Sequence, residues 1–259
     1  MGPEPRRQRR SRAPRGRAPG LDVERSLERP GASVVAGMDE VGRGALAGPV
    51  TAGLVVPPPG AARGLPGLRD SKLLSPARRE ALVPRILAWS AASGVGHASP
   101  AEVDALGLTA ALRLAGRRAL ASASAGGPAP DVVLLDGAHD WLTDPGVVPL
   151  LDGPAADGDP AGPVPQEWTG TVVTRVRADV TCASVAAASV LAKVERDRIM
   201  TGLAGDWPQY GWDSNKGYGA MGHRRALAQD GPTPHHRLSW RLVEPPAPAP
   251  PSTSGDETT

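Results

Sequence analysis

Four carboxylates stand where this sequence could do chemistry. Asp39 and Glu40 are adjacent at the end of the apolar run SVVAGMD, Asp136 closes DVVLLD, and Asp179 closes GTVVTRVRAD. Each run reads as a strand. Neighbouring strands of one sheet lie about 4.8 Å apart, so acids at the same end of adjacent strands would converge within reach of one ion. Converging carboxylates repel, and a cation must hold them. The chain has one cysteine, Cys182, and no histidine obviously paired with these acids. An all-oxygen donor set points to Mg²⁺ or Mn²⁺ over zinc. Two such ions can activate an attacking water and stabilise the leaving oxygen of a phosphodiester. Taken singly, a strand-end Asp is more often a turn former or a helix N-cap, and Asp179, just before Thr181, has that alternative. The coincidence of three favours the metal reading.

Adjacent strand residues point to opposite faces, so Asp39 and Glu40 serve one site only if the strand ends or twists between them. The glycines of GMDEVGRGALAGPV permit such a departure at Gly42 and Gly44. They also let backbone amides near Gly42-Arg43-Gly44 approach a phosphate or a ribose hydroxyl. A straight strand through Val41 would undo the assignment of Glu40. Gly42-x-Gly44-x-x-Ala47 also matches a dinucleotide-binding fingerprint, but Pro49 and VTAGLVV follow where that fingerprint needs a helix, and it leaves the acids unexplained.

The elements that must position these residues alternate between strand and helix. After SVVAGMD, VTAGLVV reads as a second strand. Ser75-Pro76 opens a helix to about Ala91, kinked at Pro84, and Ser99-Pro100-Ala101-Glu102 is a capping box for a helical region broken at Gly107 and resuming to about Ala123. TCASVAAASVLAKVERDRIM is the strongest helix, PQYGWDSNKGYGAMG reads as a polar loop, and a short helix around His223 to Gln229 stops at Gly231-Pro232. The pattern predicts one α/β domain, a mixed sheet flanked by helices with a C-terminal helical segment. On these residues alone, His235-His236 reads as polar loop, and Cys182 and Ser189 read as small packing residues.

Three stretches lack such periodicity: 1–20, 245–259, and 144–167, which has six prolines and four glycines in 24 positions and reads as an inserted loop. The expected domain is therefore 21–244. Residues 1–20 hold seven arginines against Glu4, so the +2 net charge leaves the remainder slightly acidic. A nucleic-acid partner would need a local basic patch. No apolar run approaches a membrane span and no apolar segment follows the arginines, so a cytoplasmic protein without a membrane contact is expected.

These blocks resemble the bacterial ribonuclease HII family, the type 2 ribonucleases H. The resemblance lies in GMDEVGRGALAGPV, DSKLLS, VVLLDG, Asp179 with CASVAAASVLAKVERD, PQYGW with NKGYG and His223, and HHRLSW, in family order over residues 31–242. It implies a ribonuclease-H-like fold and endonucleolytic cleavage of RNA in RNA/DNA hybrids, including cuts 5′ of single ribonucleotides in duplex DNA that leave a 5′-phosphate and a 3′-hydroxyl. It implies metal binding by Asp39, Glu40, Asp136 and Asp179, and ribonucleotide sensing by Gly42, Arg43 and Gly44. It also implies that Tyr218 packs at the RNA-to-DNA junction. A 2′-hydroxyl separates RNA from DNA at any site, and backbone groups can read it without reading the base. Lys72, Lys193 and Lys216 are candidate phosphate contacts, as is Ser184. The chain is expected to act as a monomer, with no motif in either tail that names a protein partner. Ala138 and Ala220 depart from the family, which often has a polar residue and a threonine there, so a hybrid-binding homologue with weakened catalysis is the competing expectation.

Overall fold

The computed structural model describes residues 18–28, 33–143 and 168–242. The expected inserted loop and most of both expected tails lie outside them. A short helix, α1 (Asp22–Leu27), precedes the first strand, β1 (Val35–Val41). Next come β2 (Val50–Val56), α2 (Pro76–Trp89) with Pro84 inside it, and β3 (Ala92–Ala98). Helices α3 (Pro100–Leu106) and α4 (Leu108–Gly126) are separated by Gly107, and β4 (Val132–Asp136) and β5 (Thr171–Arg175) follow. The chain ends in α5 (Ala178–Thr181), α6 (Ala183–Asp206), α7 (Trp212–Asn215) and α8 (Met221–Asp230).

The five strands form one mixed sheet in the order β3-β2-β1-β4-β5. β1, β2 and β3 pair antiparallel, while β4 runs parallel to both β1 and β5. This is the expected α/β architecture with a C-terminal helical segment. The turn after β1 leads into an antiparallel strand, not a helix, so Gly42-x-Gly44-x-x-Ala47 is not a dinucleotide-binding turn. Among the described residues, no helix is long and apolar enough to cross a membrane.

Helices cover both faces of the sheet. α4 buries Leu112 and Leu114 in one core with Met38, Leu54, Leu135 and Trp141. On the opposite face, Val190 and Leu191 of α6 pack with Leu82 and Ile86 of α2. The alanines of α6 bring it unusually close to the sheet. A Cβ on Gly37 would lie 2.3 Å from Ser184 Oγ and from Val185 N, and one on Gly53 2.3 Å from Ala188 O. Only glycine leaves room for the helix backbone there, and that approach sets Ser189 against β1. A third cluster holds Met200, Tyr210, Trp212 and Leu227 around the C-terminal helices.

The capping box is present: Ser99 Oγ accepts from Glu102 N at 3.2 Å and Glu102 Oε2 accepts from Ser99 N at 2.8 Å. The expected side-chain cap at Ser75 is not formed. Its carbonyl instead accepts from the amides of Arg78 and Arg79. Gly20 pairs with Cys182 as an isolated parallel bridge, accepting from Ala183 N at 2.7 Å and donating to Thr181 O at 3.0 Å.

Candidate active site

Three of the four acids converge. One carboxylate oxygen each from Asp39, Asp136 and Asp179 lies within 4.8 Å of the others. Asp39 is on β1 opposite Gly53, and Asp136 is the last residue of β4. Asp179 is not at a strand end as expected. β5 stops at Arg175, and after Arg177 in the left-handed region (φ 60) the chain turns into α5, which carries Asp179. Asp136 secures this turn, because its Oδ1 accepts from Ala178 N at 2.7 Å and more weakly from Asp179 N at 3.5 Å. The helix-capping role that Asp179 could have played belongs to its partner.

Glu40 is not in the cluster. β1 continues through Val41, with Glu40 opposite Ala52 and Val41 opposite Thr51. Alternation sends Asp39 toward α6 and Glu40 toward the other face. The strand break on which its assignment depended is therefore missing. Glu40 Oε1 accepts from Arg43 Nη1 at 2.9 Å, and its buried Oε2 has no hydrogen-bond partner among the described residues.

The electrostatics mark the cluster as cation-seeking. Asp39 is held well above the ordinary carboxylate range, first by burial and then by the charges of Glu40 and Asp136, while a hydrogen bond from Ser189 pulls the other way. Burial and then Asp136 also raise Asp179, against the pull of Lys72. Lys72 Nζ stands 3.9 Å from Asp179 Oδ2 with a largely exposed side chain. Burial disfavours its charge, but Asp179, Asp39, Asp70 and Asp136 together outweigh that and raise its pKa. One exposed ammonium cannot balance three gathered carboxylates. An all-oxygen donor set of this kind fits a hard divalent cation.

The turn after β1 is built around buried guanidinium groups. Gly42 has φ 93, and a Cβ there would lie 2.3 Å from Arg196 Nε. Among the described residues nothing lies within 4 Å of the Cβ position of Gly44, and this part of the turn is exposed. The ring of the partly exposed Tyr218 stands over Arg196, with Cζ 5.5 Å from its centroid.

Tyr218 is also anchored through a histidine relay that sequence reasoning missed. A backbone amide can only donate, so Thr233 N–H, 2.9 Å from His236 Nδ1, places the imidazole proton on His236 Nε2. That N–H donates to His223 Nε2 at 3.0 Å, which also accepts from Trp212 Nε1 at 3.2 Å. His223 Nδ1–H then donates to the Tyr218 carbonyl at 2.9 Å. His223 and His236 are buried among Tyr210 and Trp212, so the doublet His235-His236 is only half loop. Nothing in the spacing of His223 and His236 announces the pair.

Other expected contacts fall elsewhere. Ser184 is fully buried, and its hydroxyl donates to Glu24 Oε1 at 2.7 Å while its amide donates to the same oxygen at 3.0 Å. It joins α1 to α6 and has no surface to offer a phosphate, which corrects the expectation for it. Lys193 Nζ donates to Asp197 Oδ1 at 2.6 Å, and burial lowers its pKa. It lines a cleft with Arg79, Asp197, Arg198 and Lys216 that does not include Asp39, Asp136 or Asp179. Ser189, read from sequence as packing alone, shares a 2.8 Å hydrogen bond with Ser71 and contacts Asp39.

The family model described as ribonuclease HII matches residues 36–144 and 154–243. A ribonuclease HII of Streptomyces avermitilis is 45% identical over 223 residues, covering 86% of this chain and 83% of that protein. One of Streptomyces griseus is 46% identical over 226 residues, covering 86% and 84%. Among solved structures, the ribonuclease H2 of Pyrococcus horikoshii superposes with a TM-score of 0.58 at 24% identity, covering 81% of this chain and 94% of that one.

Proposed function

The chain belongs to the ribonuclease HII family and is a ribonuclease H acting as an endonuclease on RNA/DNA, and we propose that it also cuts 5′ of single ribonucleotides embedded in duplex DNA, leaving a 5′-phosphate and a 3′-hydroxyl. The observation that carries this reading is the convergence of Asp39, Asp136 and Asp179 from three separate elements onto one point.

In this reading those three carboxylates hold divalent cations, Mg²⁺ or Mn²⁺ and two during catalysis, and Glu40, whose buried Oε2 has no partner among the described residues, becomes a fourth donor only when the end of β1 twists to bring it round. Bound there, such cations supply Lewis acidity to the scissile phosphodiester and its attacking water. The protein's own groups do the positioning. Ser189 orients Asp39, and Asp136 holds the turn that presents Asp179. Lys72, at the rim beside Asp179, meets the phosphate next to the cut, and Lys193 meets the duplex backbone from its own cleft. Gly42, Arg43 and Gly44 read the ribose hydroxyl, and Tyr218 stacks on the adjoining deoxyribose, where another hydroxyl would crowd its ring.

The test is incubation with a duplex containing one ribonucleotide, with Mg²⁺, with Mn²⁺ and with chelator, beside Asp136→Asn. A cut 5′ of the ribonucleotide that needs the cation and is lost in Asp136→Asn is the expected result. Cleavage in chelator, or an unimpaired Asp136→Asn, would sink the metal assignment. Tight binding without product would favour a hybrid-binding homologue with weakened catalysis.

A further inference from the structure

The carbonyls of the turn after β1 point inward, onto two buried arginines. Arg237 Nη2 donates to Gly42 O at 2.7 Å, Nη1 to Arg43 O at 3.0 Å, and Nε and Nη2 to Gly48 O at 3.3 and 3.1 Å. Arg196 donates from Nε to Pro49 O at 2.8 Å, from Nη2 to Ala47 O at 3.0 Å and from Nη1 to Lys216 O at 2.9 Å. Both side chains are fully buried, and neither forms an ion pair among the described residues. A buried guanidinium must find acceptors for its N–H groups, and here backbone carbonyls alone provide them.

Peptide planarity carries the consequence to the surface. In a trans peptide the N–H points opposite to the preceding C=O, and there is no cis bond among the described residues. Drawing in the carbonyls of Gly42 and Arg43 therefore turns the amides of Arg43 and Gly44 outward. Among the described residues neither amide donates to a protein acceptor, while the next one, Ala45 N, already bonds to Gly42 O.

We propose that Arg237 is a positioning residue for sugar recognition: by holding the carbonyls of Gly42 and Arg43 it presents the amides of Arg43 and Gly44 as a fixed pair of donors to the ribose 2′-oxygen. This rests on the reading of Gly42-Arg43-Gly44 as the ribonucleotide sensor. A lysine at 237 would keep the charge but could not span three carbonyls, so Arg237→Lys separates the fork from the charge.

The experiment measures binding in an Asp136→Asn background, with a duplex carrying one ribonucleotide and an all-DNA duplex of the same sequence. With Arg237 present, the ribonucleotide duplex is expected to bind at least about tenfold tighter, one well-made pair of hydrogen bonds. Arg237→Lys is expected to bring that ratio near one while leaving all-DNA affinity and the far-ultraviolet circular dichroism unchanged. An unchanged ratio in folded Arg237→Lys, or an equal loss for both duplexes, overturns the inference and leaves the ribonuclease reading intact. No preference with Arg237 present instead defeats the sensor reading itself. Should Arg237→Lys fail to fold, amide exchange in the Asp136→Asn protein decides. The Arg43 and Gly44 amides should exchange freely alone and slow on binding the ribonucleotide duplex but not the all-DNA duplex; protection in the free protein, or no such slowing, overturns the proposal.

Discussion

Glu40 bonds to Arg43 across the turn, Oε1 to Nη1 at 2.9 Å, while Asp39 beside it faces the opposite side of the sheet. The two acids nevertheless act on one another, since the charge of Glu40 is, after burial, the largest influence raising the pKa of Asp39. Glu40→Gln keeps the hydrogen bond to Arg43 and removes that charge. Asp39 should then ionise at lower pH, and the acid limb of the pH–rate profile should move down. The maximal rate should fall by about 10–100-fold, the usual cost of losing a group that tunes a metal ligand. An acid limb that stays in place would show that Glu40 does not govern Asp39.

Asp39 should cost the protein stability when no cation is bound. Its folded pKa is raised, so its contribution is fully present below the ordinary carboxylate pKa and is lost as pH rises through the folded value. At neutral pH in chelator, Asp39→Asn is therefore expected to melt above the wild type, by roughly 2–4 °C for each kcal/mol recovered. The difference should close near pH 3, and in Mg²⁺ or Mn²⁺ it should shrink because the cation stabilises only the wild-type site. Activity should fall by about 10²-fold or more. A lower melting temperature in chelator at neutral pH would contradict the electrostatic account.

Ala220 occupies the N-cap of α8 with extended backbone (φ −62, ψ 156) and no side-chain hydrogen bond. Ala220→Thr supplies the missing acceptor for the first turn, and should stabilise the protein by about 1 kcal/mol in denaturant titration. The helix carries His223, so firmer seating of α8 should also leave the Tyr218 anchor undisturbed. No gain in the denaturation midpoint would mean that solvent already satisfies those amides.

Acid should loosen the fold through two histidines. His97, which shares a 2.9 Å hydrogen bond with Thr51, is lowered to about 4 by burial and by Arg118 and Arg196. His236 is lowered to about 4 by burial and by His223. Each binds its proton more readily unfolded than folded, so the stability is present above about pH 6.5 and is lost as pH falls through 4. The loss is up to about 3 kcal/mol for each histidine. His97→Gln should flatten the fall in urea midpoint between pH 6.5 and 4, and an unchanged slope would remove His97 from the account.

The strand-end acids were the legible part of this site. Apolar runs announced β1 and β4 and brought Asp39 and Asp136 together in the parallel ladder. β3 was not legible, because its Gly94 and Gly96 lie where a Cβ would come within 2.2 Å of the carbonyls of Ala119 and Ala115, so close packing replaced the alternation that marks a strand. The expected break between Asp39 and Glu40 failed for a related reason. Glycines after a strand permit a break without imposing one, and the ladder to β2 held the chain straight through Val41. Arg196, Arg237, His223 and His236 were invisible as site builders. They act through backbone carbonyls and one another, and such partners leave no mark in residue spacing.

The parallel pairing of β1 with β4 also sets a schedule for the chain as it leaves the ribosome. Val34 meets Asp131 across 97 intervening steps of sequence, and Glu24 meets Ser184 across 160. Contacts so distant in sequence form late, since the loop between them must close first. A nascent chain halted before α5 carries Asp39 and Asp136 but neither Asp179 nor the helix that sets Ser189 against β1. The nuclease is expected to stay inert throughout its own synthesis, and the acids become a working set only when α6 closes over the first strand.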